Sequence, residues 1–311
     1  MKDAVHEPHG RAAGRILAFA AMSSLAIIVL ASFLIYSAFF SNAGYSPQPT
    51  EPRTSTAADR SMTIAIARTA GGPLEWRTYA RAVKRMSDAT GRPMRVRYVE
   101  SRSEIVRLMK SGEVDAGFLC TYCYLELAGS EGISLVAAPR IAGETMDAAV
   151  LVVRASSRYR SLKDLDGRRV GVAGPTSLAG YKYLYWLANR EHIDTARALT
   201  IVPGDTQDQN LRVLLAGKVD AVVVNRSQLA IWAQRDLKII SQSPEYGMPP
   251  FVAGSTVDTA TRDTMRQALL SLRPSAEQTR AVIEGFSEVT AEDYGFARQL
   301  LQVSPTAVGS K

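Results

Sequence analysis

At 311 residues, the chain is long enough for one large domain or for two lobes that each bury a full core. Its composition, 46% hydrophobic and 22% charged, is ordinary for a folded protein, and its net charge of +7 suits an anionic ligand or an anionic membrane surface. No run of Lys and Arg interleaves with aromatic residues, so nucleic acid is not predicted as a partner. With three histidines, two of them at His6 and His9, a Ser-His-Asp triad or a multi-histidine metal site is not expected.

The N-terminal region predicts a membrane anchor. Residues 16–40 are 25 positions without a charge, longer than the ~20 apolar residues that a spanning helix needs. Arg11 and Arg15 precede this stretch and the next basic residue is Arg53, so residues 1–15 are expected in the cytoplasm and residues 41 onward outside it. The alternative is a signal peptide cleaved after Ala43. An uncleaved single-pass anchor in the inner membrane is favoured because the apolar stretch exceeds that of signal peptides.

After a flexible linker at 41–60, the chain alternates strands and helices. The pattern predicts a first lobe from 61–150 and 246–303, a second lobe from 151–245 and a tail at 304–311. Alternating strands and helices predict an α/β fold with mostly parallel sheets. The long β-branched run DAAVLVVRA is expected to cross to the second lobe, and PPFVAGS to return to the first. Three helical stretches are expected to close the chain.

One unit occurs twice. SGEVDAGFLCTYCYLEL, at 111–127, returns as AGKVDAVVVNRSQLAIW, at 216–232. Each copy predicts a helix end capped by glycine, a short apolar strand opened by Val-Asp, a polar break and a new helix. Two such units indicate two similar lobes, the layout of a binding protein that holds its ligand between them.

Ligands of open α/β sheets bind beyond the carboxyl ends of strands, near helix N-termini. Four segments fall at such positions: Gly174–Ser177, Thr121–Tyr122, Asp205–Asn210 and Asn225. Ser177 is expected to cap a helix whose N–H groups at Leu178, Ala179 and Gly180 form an anion cradle. Each segment also fits a capped helix or a loop with no ligand.

These residues and their order resemble the phosphate/phosphonate-type periplasmic substrate-binding proteins of ABC transporters. The resemblance covers residues 62–303 and includes SLKDLDGRRVGVAGPTSLAG and the C-terminal GFSEVTAEDYGFARQLL. It implies a type II periplasmic-binding-protein fold, and the transmembrane helix predicted from residues 16–40 would precede this fold. It also implies a ligand site, with residues Arg102, Thr121, Tyr122, Thr176, Ser177, Leu178, Ala179, Gln207 and Asn225.

The chain departs from the family pattern at several of these positions. The family's Ser-Thr-Ser-Gly anion site reads Ser177, Leu178, Ala179 and Gly180 here, so the backbone donors remain and two hydroxyls are lost. A family His falls on Gln207, followed by Asp208, and a family Tyr falls near Arg102, which could pair bidentately with an oxyanion. An acidic residue of the family is replaced around 248–250. A larger organic anion or a degenerate ligand is an expected consequence.

Cys120 and Cys123 form a C-x-x-C at the start of a helix, a position that lowers the pKa of the first thiol. Three interpretations stay open: a structural or incidental pair, a disulfide at the ligand rim that rigidifies Thr121 and Tyr122, and a redox-active pair. Redox catalysis is disfavoured because the motif follows the third strand of a long domain.

The predicted function is therefore a membrane-anchored extracytoplasmic protein that binds a small oxyanion by hinge closure, with no catalytic residue, metal or cofactor. Its expected partners are an ABC permease or a membrane sensor. The alternatives are a sulfonate-, nitrate- or pyrimidine-type ligand on the same fold, an exported thiol-disulfide oxidoreductase, and a ligand-free envelope scaffold.

Overall fold

The computed structural model describes residues 61–67, 73–232, 235–274 and 283–304, all within one compact unit, Ser55–Lys311. The predicted cytoplasmic tail, membrane anchor and linker lie outside these residues, as do residues 305–311. Within the described ranges, no helix combines the length and the apolar character that a membrane span requires.

Strands and helices alternate along the chain, and the strands form two main sheets, one in each of two lobes. The sheet of the first lobe has six strands, in the spatial order β2 (Met94–Val99), β1 (Met62–Ala67), β3 (Ala116–Phe118), β12 (Phe251–Ala253), β4 (Ser134–Ile141) and β13 (Ile283–Ser287). The sheet of the second lobe has five, in the order β10 (Leu237–Gln242), β6 (Ala149–Arg154), β9 (Ala221–Asn225), β7 (Arg168–Val172) and β8 (Leu199–Pro203). Strand β6 belongs to the second sheet and begins at Ala149. The second lobe therefore starts two residues earlier than the predicted start at residue 151.

Helices connect most of these strands. They are α1 (Pro73–Thr90), α2 (Arg102–Lys110), α3 (Thr121–Leu127), α4 (Tyr183–Arg190), α5 (Thr195–Ala198), α6 (Gln207–Leu215), α7 (Arg226–Ala230), α8 (Thr259–Leu270) and α9 (Gly295–Leu301). Several begin at residues whose side-chain oxygens accept a first-turn N–H, namely Ser101 for α2, Thr206 for α6 and Asp258 for α8. A turn of π-helix, Leu178–Lys182, leads directly into α4.

The prediction of mostly parallel sheets is wrong. Among the described residues, the two sheets contain four parallel and five antiparallel pairings. Four of the five antiparallel pairings involve β6 or β12, the strands that enter their sheets where the chain changes lobe. A strand that arrives from the other lobe enters the sheet from the opposite side, so it runs against its neighbours.

The C-terminal region also differs from the prediction. Only helical stretches were expected to close the chain, but Ile283–Ser287, between α8 and α9, is strand β13 and pairs antiparallel with β4. Ile283, Gly285 and Phe286 are buried while the intervening Glu284 is less so, which is closer to the two-residue period of a strand than to a helical stripe.

The two segments that cross between the lobes are paired with each other. Met146–Asp147 (β5) and Tyr246–Gly247 (β11) form a short antiparallel ladder. The ring of Tyr294 packs so tightly on Gly247 that a Cβ there would lie 2.6 Å from a ring carbon. Tyr294 also donates its hydroxyl to the carbonyl of Met248 at 2.7 Å. The crossing point is therefore a packed structure, in which a residue larger than glycine has no space at 247.

Helix α9 joins the cores of the two lobes. The ring centroid of Phe296 lies 5.0 Å from that of Trp186 in the second lobe, in an edge-on arrangement. In the first lobe, Tyr124 lies 4.6 Å from Tyr294, just before α9. Lys182 donates to the carbonyls of Leu301 and Val303 at 2.9 and 2.8 Å, placing a positive charge at the C-terminal end of α9.

Candidate functional site

The helix terminus predicted after β7 is present. Ser177 N–H donates to the carbonyl of Gly174 at 2.8 Å, which closes a turn, and Ser177 Oγ accepts the N–H of Gly180 at 3.1 Å. Ser177 is 7% exposed. The first N–H groups of a helix have no intrahelical acceptor, so those of Leu178 and Ala179 are the donors that this turn presents.

The side chains of Leu178 and Ala179 do not contribute to this terminus. Both are buried in the hydrophobic cluster that the two lobes share. At Gly180, an added Cβ would lie 2.8 Å from Ser177 Oγ and 3.0 Å from Ala173 Cβ. Glycine is thus required for the cap to close. The Leu178 side chain, in the family's hydroxyl position, packs in the core.

Arg102 reaches this terminus from the other lobe. It is the first residue of α2, and its Nη1 donates a hydrogen bond to Thr176 Oγ1. Arg102 Nε is buried and has no hydrogen-bond partner among the described residues. A buried donor without a partner costs about 1–3 kcal/mol, so this guanidinium retains an unused capacity to bind an acceptor. The lobes therefore bring Arg102, Thr176 and Ser177 together, as predicted.

The helix α3 lies beside α2 and carries the next predicted residues. Thr121 is buried and begins the helix, while Tyr122 is half-buried. Burial, together with the Glu126 carboxylate, raises the pKa of Tyr122, so its phenol stays a proton donor at neutral pH.

Cys120 caps α3 and contacts Cys123. The N–H of Cys123 donates to Cys120 Sγ at 3.2 Å, and the two sulfurs lie 2.6 Å apart. The structure has no bond between the two sulfurs. The hydrogen bond from Cys123 lowers the pKa of Cys120 to about 7, and the positive charge of Arg102 adds to this effect against the opposing effect of burial. The same contact and burial raise the pKa of Cys123.

Gln207 and Asn225 are bonded to each other. Gln207 Nε2 donates to Asn225 Oδ1 at 2.8 Å, and the N–H of Asn225 donates to Gln207 Oε1 at 2.7 Å. Gln207 Nε2 also lies 3.4 Å from Ser177 Oγ, so Gln207 touches the helix terminus. Asn225 contacts Gln207, and Gln207 lies between Asn225 and the helix terminus. Asp208 is directed elsewhere, toward Arg212 and the indole N–H of Trp232.

Asn225 is also bonded to Asp147, a residue that the sequence did not indicate. Asp147 is fully buried and accepts from Asn225 Nδ2 at 2.6 Å, from the N–H of Ala148 at 2.8 Å, and from the N–H and hydroxyl of Ser227. Burial raises its pKa although these hydrogen bonds oppose the shift. Asp147 stands at the start of the apolar run DAAVLVVRA, where a turn residue is equally expected, so no local signal marked it as a buried carboxylate that requires such partners.

Comparison with known proteins identifies the family. A sequence model described as "ABC transporter, phosphonate, periplasmic substrate-binding protein" matches residues 76–294. No protein of curated function matches the chain in sequence.

Three solved structures illustrate the fold. A binding protein component of an ABC phosphonate transporter from Pseudomonas aeruginosa is 18% identical, with 78% of this chain and 86% of that one covered and a TM-score of 0.61. A Prochlorococcus marinus protein in complex with methylphosphonate is 13% identical, with 77% and 96% covered and a TM-score of 0.62. A Xanthomonas citri protein bound to ATP is 13% identical, with 78% and 96% covered and a TM-score of 0.59. At such identities the likeness concerns the fold, which is the two-lobed α/β arrangement described above.

Because the family model spans well over half of the sequence and the fold agrees with it, the chain belongs to the phosphonate ABC-transporter periplasmic substrate-binding proteins, which have the type II binding-protein fold.

Proposed function

We propose that this chain binds a small oxyanion of the phosphate or phosphonate kind between its two lobes. The observation that carries the proposal is the guanidinium of Arg102, which reaches from the first lobe to Thr176 in the second while its Nε has no partner among the described residues. A charged donor beside a capped helix N-terminus is the arrangement that attracts an anion.

The contacts with the anion follow from these donors. Arg102 supplies a planar fork of N–H groups that matches two oxygens of a phosphonate. Ser177 Oγ accepts from Gly180, so its own hydrogen remains available to an anion. The N–H groups of Leu178 and Ala179 complete the second-lobe side, and the hydroxyls of Thr121 and Tyr122 are offered from α3. Hydrogen bonds to a charged group contribute about 1.5–3 kcal/mol each.

The packing of Leu178 supports a small anion over a larger organic one. Because the side chains of Leu178 and Ala179 are in the core, they offer no apolar wall to a ligand. The loss of two family hydroxyls therefore removes donors without enlarging the apolar surface. Gln207, held by Asn225 and near Ser177, supports this side of the site and is placed to exchange its contact for one with the anion.

We also propose that binding is coupled to hinge closure. The paired crossing segments β5 and β11 give the lobes a defined axis, and Arg102 and Thr176 meet across the cleft only when the lobes are close. The stretch at 16–40 would hold the domain at the outer face of the inner membrane, beside an ABC permease or a membrane sensor.

A ligand screen on the full chain tests the proposal. Melting temperatures are compared in phosphate, phosphite, methylphosphonate, methanesulfonate, nitrate and uracil, at constant ionic strength with chloride as the control. A ligand at 100 times its dissociation constant adds about 2.7 kcal/mol of stability. Stabilisation by phosphate or a phosphonate is expected. Stabilisation by sulfonate, nitrate or uracil alone would replace the ligand class, and no response to any of them would favour a scaffold.

Small-angle scattering tests closure separately. The radius of gyration should fall when the stabilising anion is added, because the lobes approach each other. A bound ligand with an unchanged radius would show binding without hinge closure.

An insulin-reduction assay tests the oxidoreductase alternative. The protein is expected not to reduce insulin disulfides, and activity in that assay would revive this alternative.

A further inference from the structure

We propose that Cys120 and Cys123 are an oxidisable dithiol that controls how strongly Arg102 holds an anion, so that the disulfide form binds and the dithiol form binds weakly. This inference rests on the oxyanion site proposed above and adds a covalent modification to it. The co-substrate is the disulfide of a small thiol such as glutathione.

The pair is placed for disulfide exchange. The sulfurs are in contact at 2.6 Å, Cys120 is partly accessible and Cys123 is fully buried. Cys120 precedes the first turn of α3 and its sulfur accepts a backbone N–H, an environment that favours a thiolate. Cys120 is thus the attacking sulfur and Cys123 the one that completes the exchange.

The exchange needs no reactant beyond the incoming disulfide. The Cys120 thiolate attacks one sulfur of the incoming disulfide, forms a mixed disulfide and releases one thiolate. Cys123 then gives its proton to the released thiolate, attacks Cys120 Sγ and expels the second thiolate. Solvent, which received the proton of the Cys120 thiol when the thiolate formed, protonates this second thiolate. Two protein thiols are oxidised to one disulfide while the incoming disulfide is reduced to two thiols.

The consequence reaches the anion site through Arg102. Arg102 opens α2 and Cys120 caps the neighbouring helix α3, and the charge of Arg102 lowers the pKa of Cys120. Arg102 also contacts Thr176 in the opposite lobe. In the dithiol form, a Cys120 thiolate would neutralise part of the charge that should attract the ligand. In the disulfide form, Cys120 carries no charge and no proton, and Arg102, whose Nε lacks a partner among the described residues, retains its full charge for an oxyanion.

Calorimetry on the full chain tests the coupling. Methylphosphonate is titrated into protein treated with oxidised glutathione and into protein kept in dithiothreitol, and intact mass after maleimide labelling counts the free thiols. We expect no label on the oxidised protein and two labels on the reduced protein. The oxidised form should bind about tenfold more tightly, since a neighbouring opposite charge changes an ionisation equilibrium by about one pKa unit or more. Equal dissociation constants, tighter binding by the dithiol form, or two labels after oxidation would each overturn the proposal.

Variants separate this proposal from the oxyanion site itself. In a Cys120→Ser, Cys123→Ala variant, where serine keeps the helix cap, the dissociation constant should be the same with and without reductant. In a Cys123→Ala background, Arg102→Ala should slow alkylation of Cys120 by iodoacetamide several-fold at pH 7, and an unchanged rate would contradict the contact between Arg102 and Cys120. If neither redox form binds methylphosphonate or phosphate, the oxyanion function and its redox control are wrong, while the alkylation rate still reports on Arg102 and Cys120.

Discussion

Residues 111–127 and 216–232 build the same unit in the two lobes. Gly112 and Gly217 end their helices with φ of +69° and +71°. In each unit, an aspartate then makes two hydrogen bonds to the backbone of one residue in a neighbouring strand. Asp115 N–H donates to the Thr63 carbonyl and its carboxylate accepts the Thr63 N–H at 2.7 Å, while Asp220 does the same with Arg169 at 2.8 and 3.0 Å.

The two units diverge where the strands end. In the first lobe, β3 leads to Cys120, which caps α3 close to Arg102. In the second lobe, β9 ends at Asn225, whose amide is bonded to the buried Asp147 of the crossing segment. One strand end thus faces the cleft, and the other holds the point where the chain changes lobe.

The parts of the unit that are alike serve the fold, and the parts that differ carry roles specific to each lobe. The Gly and the Asp are alike in both copies because each lobe needs the same helix end and the same strand attachment. The residues after the strand can differ, since the backbone bonds made there, from Leu119 N–H to Pro250 and from Arg226 N–H to Ala148, do not depend on the type of side chain. Substitutions in the shared and divergent parts should therefore have different consequences.

The largest effect is expected at the divergent end of the second lobe. Asp147→Ala would leave the donors of Asn225, Ala148 and Ser227 without their acceptor in a buried site, which should destabilise the protein by about 3 kcal/mol or more. Urea denaturation measures the loss. The exposed Asp166→Ala is the control and should change stability by less than about 0.5 kcal/mol. An Asp147→Ala variant as stable as this control would show that Asn225 is not held for the crossing segment.

The shared aspartates should matter less, and unequally. Asp115 is 6% exposed and accepts Thr63 N–H and the Thr256 hydroxyl, so Asp115→Ala should cost about 2 kcal/mol. Asp220→Ala should cost about 1 kcal/mol, because its partner Arg169 is half exposed and water can replace the lost bonds. Paired urea titrations compare the two. A larger loss at Asp220 would contradict the ranking by burial.

The smallest effect is a pH dependence at Asp220. Burial opposes ionisation of Asp220, but the backbone and side-chain hydrogen bonds and the charge of Arg169 prevail and lower its pKa. A lowered folded-state pKa means that the unfolded chain takes up the proton first. The stability difference between the protein and Asp220→Asn should therefore be full above the ordinary Asp pKa of about 3.9 and should disappear as pH falls through the folded pKa. A difference that stays constant from pH 6 to pH 3 would show that ionisation of Asp220 adds nothing.

Much of the fold could be predicted from local pattern. The runs MTIAIA at 62–67 and MRVRYV at 94–99 each predict a strand, and β1 and β2 occupy these same residues, because such a run between turn residues determines a strand locally. The direction of β6 and β12 in their sheets could not be predicted this way, since direction depends on how the chain crosses between lobes. Strand β13 could not be predicted this way either, because its partner β4 lies about 140 residues away in sequence.

The site was predictable to a similar degree. Ser177 as a cap and Arg102 beside it follow from strand-end positions and from the family resemblance. That Leu178 packs in the core could not be read from its type, because an apolar residue suits a ligand pocket as well as a core. Asp147 was missed because its partners, Asn225 and Ser227, lie about 80 residues away, so no local pattern distinguishes it from a turn residue.

The most direct test of the account is the affinity of the full chain for methylphosphonate and phosphate, by calorimetry, with Arg102→Ala compared to Arg107→Ala. Both arginines lie on α2, but Arg107 pairs with Glu113 at the surface. Losing a buried charge-assisted contact costs about 2 kcal/mol or more, so Arg102→Ala should weaken binding about 30-fold or more, while Arg107→Ala leaves it unchanged. Equal affinities in the two variants would contradict an oxyanion site centred on Arg102.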